Sequence, residues 1–177
     1  MDPFATLGIE RTFDVNLPAL EKTHRDLSRA LHPDRYSGAG ASERRQALSK
    51  AVEVNEAWRI VRDPVRRAEA LFELAGIAVG ETNEPKASNA FLMNIMEQRE
   101  ALEDAKTSRN GGAIEQLSKE IEARARAAEG ILSGGFQRGM DRATLEPLVG
   151  RLGELRFFRR FLEEVSAIEE EILHGAA

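Results

Sequence analysis

The chain has 177 residues, 42% of them hydrophobic and none cysteine, so it can bury one compact domain or two small ones but forms no disulfide, thiolate nucleophile or Cys-ligated metal site. Its net charge of −5 falls wholly in the second part: residues 1–78 carry 12 Lys+Arg and 12 Asp+Glu, and residues 79–177 carry 13 and 18. That balance argues against a general nucleic-acid binder, and no apolar run approaches the roughly 18–20 residues of a membrane span.

Taken in chain order, the pattern predicts an all-α protein. Met1-Asp2-Pro3-Phe4 has neither signal-peptide nor transit-peptide character, which points to a soluble intracellular protein. Asp2-Pro3 reads as a cap and first helical position, opening a short helix that stops at Gly8. Asn16 caps a second helix, with Pro18 in its first turn, that runs to about Leu31. On it Leu20, His24, Leu27 and Leu31 cluster within about 40°, while Lys22, Arg25 and Arg29 lie about 140–200° away. One face packs and the other carries positive charge.

Pro33 ends that helix, since its ring disfavours the α region for His32 and it donates no backbone hydrogen bond. Arg35, Tyr36 and Ser37-Gly38-Ala39-Gly40 then form a loop. A third helix is expected from Ser42 to Arg62, with Ala47, Ala51, Val54, Trp58 and Val61 as one buried stripe. Asp63-Pro64 caps a short helix over about 65–75. Residues 78–87 read as a linker between a first domain, 1–77, and a second, 88–177.

In the second domain, Ser88 or Asn89 caps a helix to about Lys106, and Asn110-Gly111-Gly112 is a turn. The next helix is expected from Ala113 to the Gly134-Gly135 region and a last one from Arg142 to Leu173. Gly150 and Gly153 lie inside the latter and mark either a close contact or a local break. Three antiparallel helices joined by short turns make a three-helix bundle.

The helix opening at Phe91 carries an unusual outer face. Ile95 and Leu102 fall within about 40° of Phe91, as a bundle-facing stripe does. Leu92, Met93 and Met96 fall about 100–200° away, among Glu97, Glu100, Glu103 and Asp104. An apolar spot holding two methionines and ringed by carboxylates suits a partner. The plain alternative is a helix buried more widely, against the first domain. Phe157 poses the same choice, lying more than a quarter-turn from Phe158, Leu162 and Val165, although Phe161 and Ile168 broaden the apolar arc.

No catalytic or cofactor motif competes with these surfaces. The three histidines, His24, His32 and His174, are widely separated, and there is no Walker A, GxGxxG or G-x-S-x-G sequence, so neither a metal nor another cofactor is expected. His32 beside Asp34 has no nucleophile with local support.

The tripeptide His32-Pro33-Asp34 arises by accident in roughly 1% of chains this long, so its weight comes from context. A basic helix, this tripeptide and an antiparallel helix resemble a J-domain, the module that activates DnaK-type chaperone ATPases. The resemblance then becomes narrower. Asp2-Pro3-Phe4-Ala5-Thr6-Leu7-Gly8-Ile9, Asn55-Glu56-Ala57-Trp58, Asp63-Pro64-Val65-Arg66-Arg67-Ala68-Glu69, Phe91-Leu92-Met93 with Met96-Glu97 and Arg99-Glu100, and Leu155-Arg156-Phe157 resemble, in order, the HscB (Jac-type) co-chaperones of iron–sulfur cluster assembly. His24 departs from the Tyr that J-domains usually carry there.

The resemblance implies a J-domain followed by a three-helix bundle. Lys22, Arg25, Arg29, His32, Pro33, Asp34 and Arg35 would engage a DnaK/HscA-type chaperone. Leu92, Met93, Met96, Glu97, Glu100, Glu103, Asp104 and Phe157 would hold the IscU-type scaffold protein. It also implies a non-enzymatic, cytoplasmic protein of bacterial type, and a monomer is the expected state. Two other readings stay open: a J-protein whose bundle recruits a different client, and a helical adaptor with no chaperone link.

Overall fold

The structure, a computed structural model, describes residues 1–80 and 87–174. Most of the linker read over 78–87 therefore lies outside the described residues. The helices are α1 (Pro3–Leu7), α2 (Leu17–Ala30), α3 (Ala41–Arg62), α4 (Pro64–Leu74), α5 (Asn89–Thr107), α6 (Gly111–Arg138), α7 (Arg142–Leu145) and α8 (Val149–His174), with 3-10 turns at Pro33–Tyr36 and Glu146–Leu148. The chain divides into two compact units: Met1–Ala78 with Phe136–Arg142, and Val79–Gly135 with Ala143–Ala177.

In the first unit the predicted caps form. Asp2 accepts hydrogen bonds from Phe4 N and Ala5 N at 3.0 and 3.2 Å, Asn16 accepts from Ala19 N at 3.0 Å, and Asp63 accepts from Val65 N and Arg66 N, both at 3.0 Å. Gly8 closes α1 at φ 67°, a left-handed conformation that only glycine adopts cheaply. α3 packs against α1, α2, α4 and the 3-10 turn. The core holds Phe4, Leu7, Leu20, Val54, Ala57, Val61, Leu71 and Phe72. Each large member contributes about 1.5–3 kcal/mol on burial.

Burial opposes the charged form of Asp2, but the bond from Ala5 N together with the Arg11 side chain outweighs it and holds the carboxyl below its ordinary 3.8. Because the folded value is depressed, the stabilisation is complete above 3.8 and fades as pH falls through the lower folded value. In the pair with Arg11 the guanidinium is 57% exposed and the Asp2 side chain 18%, so solvent weakens it only in part, and it is lost together with the cap when Asp2 is removed. Asp2→Ala is expected to cost about 1 kcal/mol at pH 7. Denaturant titrations at falling pH should show that difference shrinking in acid.

The stripe predicted on α3 is rotated. Ala47, Val54, Ala57 and Val61 are buried, whereas Ala51 and Trp58 are half-buried. The reason is His24, whose ring stacks on Trp58 at 4.8 Å and 11° and whose Nε2 lies 3.0 Å from Asn55 Oδ1. These contacts draw the indole to the edge of the core. Phe13 stacks on Phe136 at 5.6 Å, Phe72 meets Phe136 edge-on at 5.2 Å, and the Arg67 guanidinium lies 4.8 Å over Phe13.

In the second unit three long helices form an up-down-up bundle. Arg99 pairs with Glu164 at 3.6 Å and Lys106 with Glu171 at 3.3 Å, so α5 and α8 run in the same direction, seven residues forward on each. Arg124 of α6 bonds to Asn94 and, at 3.0 Å, to Gln98, and its guanidinium sits 4.8 Å from the Phe158 ring.

Three helix boundaries differ from the sequence reading. α6 starts at Gly111, capped by Asn110, which accepts from Ala113 N at 3.1 Å, and it continues through Gly134-Gly135 to Arg138. The last helix starts at Val149 rather than Arg142, because a 3-10 turn containing Pro147 interrupts it. From there it runs unbroken through Gly150 and Gly153.

Gly135 is retained for space. A Cβ there would strike Leu148, whereas one at Gly134 would meet nothing within 4 Å. Gly135→Ala is therefore expected to destabilise by about 1–3 kcal/mol through overpacking. Its neighbour Gly134→Ala should be neutral or stabilise by up to about 1 kcal/mol. Thermal unfolding of the two variants gives the comparison.

Candidate partner-binding surfaces

The first surface is built at the end of α2. Lys22, Arg25, Arg29 and Arg35 are all exposed, and so are His32, Pro33 and Asp34. The stripe is partly neutralised by its own helix. Arg25 pairs with Glu21 at 2.8 Å and Arg29 approaches Asp26 at 4.0 Å, both solvated pairs worth little. Such charges are easily redirected to a partner.

The loop predicted after Pro33 is a built 3-10 turn. His32 caps it, with Nδ1 accepting from Asp34 N at 3.3 Å, as the Nε2–H tautomer does. Arg35 N donates to His32 O at 3.0 Å, and Ser37 Oγ donates to Asp34 O at 2.9 Å. Tyr36 Oη donates to Ala30 O at 3.3 Å, tying the turn to the end of α2. The backbone of Asp34 is thus held while its side chain stays 91% exposed. An outward carboxylate on a hydrogen-bonded backbone, beside exposed cations, can be read by a partner without chain rearrangement.

The second surface lies on α5. Taking Phe91 as zero, Arg99 and Lys106 at about 60–80° meet α8, and Asn94 and Gln98 at about 300–340° meet Arg124 of α6. The arc from about 100° to 240° is left to solvent, and it holds Leu92, Met93, Met96, Glu97, Glu100, Glu103 and Asp104. Leu92, Met93 and Met96 are 48%, 64% and 70% exposed, and the four carboxylates are exposed as well.

Phe157 differs from these. It is half-buried in an aromatic cluster, 5.9 Å from Phe91, 6.0 Å from Phe158 and 6.3 Å from Phe161. Its remaining face lies under Arg99, 5.9 Å from the ring. Since Arg99 and Leu92 fall within about 20° on α5, Phe157 borders the apolar arc and is part of the bundle packing at once. The core face of α8 centres on Phe161, fully buried, with Phe158, Val165 and Ile168, while Leu162 is half-buried.

In the sequence Arg99 stands only as part of the resemblance and has no role in the site, since no periodic signal distinguishes it from a solvated cation. Sequence reasoning passed over Leu48 and Val52, exposed apolar residues on α3, because attention to the buried stripe left their side of the helix unread. Among the described residues no His, Asp and Glu side chains gather to hold a metal ion, and no helix is long and apolar enough to cross a membrane.

Three comparisons with known proteins agree. A family described as "HSCB C-terminal oligomerisation domain" matches residues 87–166. The co-chaperone protein HscB homolog of Burkholderia thailandensis is 33% identical over 171 residues, covering 97% of this chain and 95% of the relative. That of Burkholderia multivorans is 36% identical over 169 residues, covering 96% and 94%. Among solved structures, chaperone HscB from Vibrio cholerae superposes with a TM-score of 0.84 at 26% identity, over 97% of this chain and 99% of the other. Human co-chaperone HscB superposes with a TM-score of 0.85 at 24% identity, over 96% and 82%.

Proposed function

The chain belongs to the HscB co-chaperone family, with a J-domain and a C-terminal helical domain, and from that premise we propose that it stimulates ATP hydrolysis by a DnaK/HscA-type chaperone while delivering an IscU-type iron–sulfur scaffold to it. The observation that carries this reading is the exposed His32-Pro33-Asp34 turn, hydrogen-bonded at the end of a cationic helix. It is a co-chaperone, and the hydrolytic groups belong to its partner.

Lys22, Arg25, Arg29 and Arg35 attract an acidic face of the ATPase domain. Exposed charges of this kind mainly raise the encounter rate and fix orientation, and salt weakens them. The turn then makes the stereospecific contact. To accelerate hydrolysis, it must bind the hydrolysis-competent conformation of the chaperone more tightly than the resting one. Stimulation is therefore a difference in affinity between two partner states.

On the second unit, Leu92, Met93 and Met96 give an adaptable apolar centre, and Glu97, Glu100, Glu103 and Asp104 select a basic rim on the scaffold. Phe157 supplies an edge to that patch. Carrying both surfaces on one chain raises the effective concentration of scaffold at the chaperone, so hydrolysis traps the correct client. The expected place of action is the bacterial cytoplasm, and cluster transfer to acceptor proteins is the process served.

Single-turnover ATP hydrolysis by the chaperone, with this protein and with or without scaffold, tests the proposal. Stimulation that rises further with scaffold is the expected result. Stimulation without that rise would point to another client, and no stimulation would overturn the chaperone link.

A further inference from the structure

Leu48 and Val52 lie one turn apart on α3 and are 60% and 61% exposed. Their place on the J-domain hairpin follows from the register of α2 and α3. His24 bonds to Asn55 and stacks on Trp58, and only ten residues, including a 3-10 turn packed on α3, join the two helices, too few to return to the far end of α3, so they run antiparallel. One turn further along α2 is Ser28, and one turn back along α3 is Ala51. Val52 and Leu48 therefore sit level with the last turns of α2, at the end of the hairpin that carries His32-Pro33-Asp34.

They also share a side with the basic stripe. On α3, moving round from Asn55 by about 20–60° reaches Leu48 and Val52. On α2, moving from His24 in the same sequence sense reaches Ser28 at about 40°, then Arg25 and Arg29 at about 100–140°. Because the helices are antiparallel, these two rotations turn to the same side of the hairpin. One seam thus has arginines on one wall and Leu48 with Val52 on the other.

The rim decides the occupant. Arg44 and Arg45, both exposed, lie within about 60° of Leu48 on α3, and Arg59 in the same arc pairs at 3.7 Å with Glu56, one turn from Val52, so the rim keeps a positive balance, whereas the apolar spot on α5 is ringed by carboxylates. An arginine-rimmed apolar pair fits an acidic surface with an apolar centre. It also repels the same patch on a second copy.

We infer that Leu48 and Val52 form an apolar anchor that extends the chaperone-binding surface onto α3, receiving an apolar side chain from the same acidic face of the ATPase that the α2 stripe attracts. This rests on the chaperone reading proposed above. The two walls have separate duties: α2 sets the rate of encounter, and α3 slows dissociation by excluding water from the contact.

The test is single-turnover ATP hydrolysis by the DnaK/HscA-type chaperone, titrated with full-length wild type, Leu48→Gln/Val52→Gln and Arg25→Ala/Arg29→Ala at several salt concentrations. Glutamine keeps helix propensity, and circular dichroism checks the fold. The glutamine variant should need about ten-fold more protein for half-maximal stimulation, with its salt dependence unchanged. The arginine variant should show a flattened salt dependence, and Leu48→Met/Val52→Leu should behave as wild type.

Wild-type potency in the glutamine variant would overturn this inference alone. Absence of stimulation by the wild-type protein would overturn it together with the functional reading. Sedimentation that finds a wild-type dimer lost in the glutamine variant would also overturn it, by assigning the anchor to a second copy whose α5 carboxylates meet these arginines.

Discussion

Asp34→Asn is expected to abolish stimulation of the partner ATPase while leaving helical content, thermal stability and scaffold binding as in the wild type. The hydrogen bonds of Asp34 all run through its backbone: its N–H donates to His32 Nδ1, and its carbonyl accepts from Ser37. The carboxylate takes no part in holding the turn. Its Oδ2 is 3.6 Å from His32 Nδ1, too long for a hydrogen bond, and the side chain is 91% exposed. Asparagine keeps the shape and the backbone bonds and removes only the charge.

Truncating one member of a charged contact desolvated in a complex costs about 2–5 kcal/mol. If that contact forms only with the hydrolysis-competent state, the coupling itself is lost, and stimulation falls by at least about thirty-fold. His32→Ala is a poorer test, because His32 Nδ1 caps the 3-10 turn and its removal also loosens the backbone. A folded Asp34→Asn protein that stimulates normally would remove the proposed mechanism.

The turn also marks what was legible in the sequence. Asp2, Asn16, Asp63 and Ser88 cap their helices through the side-chain bonds that their residue types imply. A cap is a local event, settled within three residues, so the sequence states it directly. The exposure of Lys22, Arg25 and Arg29 follows equally from helical period.

Tertiary contacts were not legible. The Gly134-Gly135 pair reads as a helix end, yet α6 continues through it, and Gly135 instead leaves room for Leu148. Trp58 reads as core by period and by size, but a ring thirty-four residues away, His24, takes it as a stacking partner. The pairing of Arg25 with Glu21, one turn before it, was available from spacing and weakens any account based on bare positive charge. On the α5 surface, periodicity located the outer arc. That Phe157 is packed against Phe91 as well as bordering this arc depends on the parallel alignment of α5 and α8, which pattern alone does not fix.

That double position of Phe157 shapes the second large prediction. Leu92→Ser with Met96→Ser is expected to weaken scaffold binding about 10- to 100-fold while sparing scaffold-free ATPase stimulation. Both side chains stand on the solvent arc of α5, at 48% and 70% exposure, so their loss costs the fold little. Burying a side chain of this size in an interface is worth up to about 1.5–3 kcal/mol, and part of that is spent in ordering it. Two such anchors account for the expected range.

Phe157→Ala should act on both stability and binding. Removing a ring that packs against Phe91, Phe158 and Phe161 opens a cavity, at a cost approaching the roughly 3–5 kcal/mol of a fully buried Phe. It also frees Arg99 from the face it covers. Calorimetric titration of scaffold against the Leu92/Met96 variant, the Phe157 variant and their combination separates these contributions. If Phe157 works through the same patch, the losses in binding fall short of additive, since its edge matters only while Leu92 and Met96 are seated. Strictly additive losses would mean that Phe157 acts through the bundle alone, and the docking surface would then be the outer arc of α5 without it.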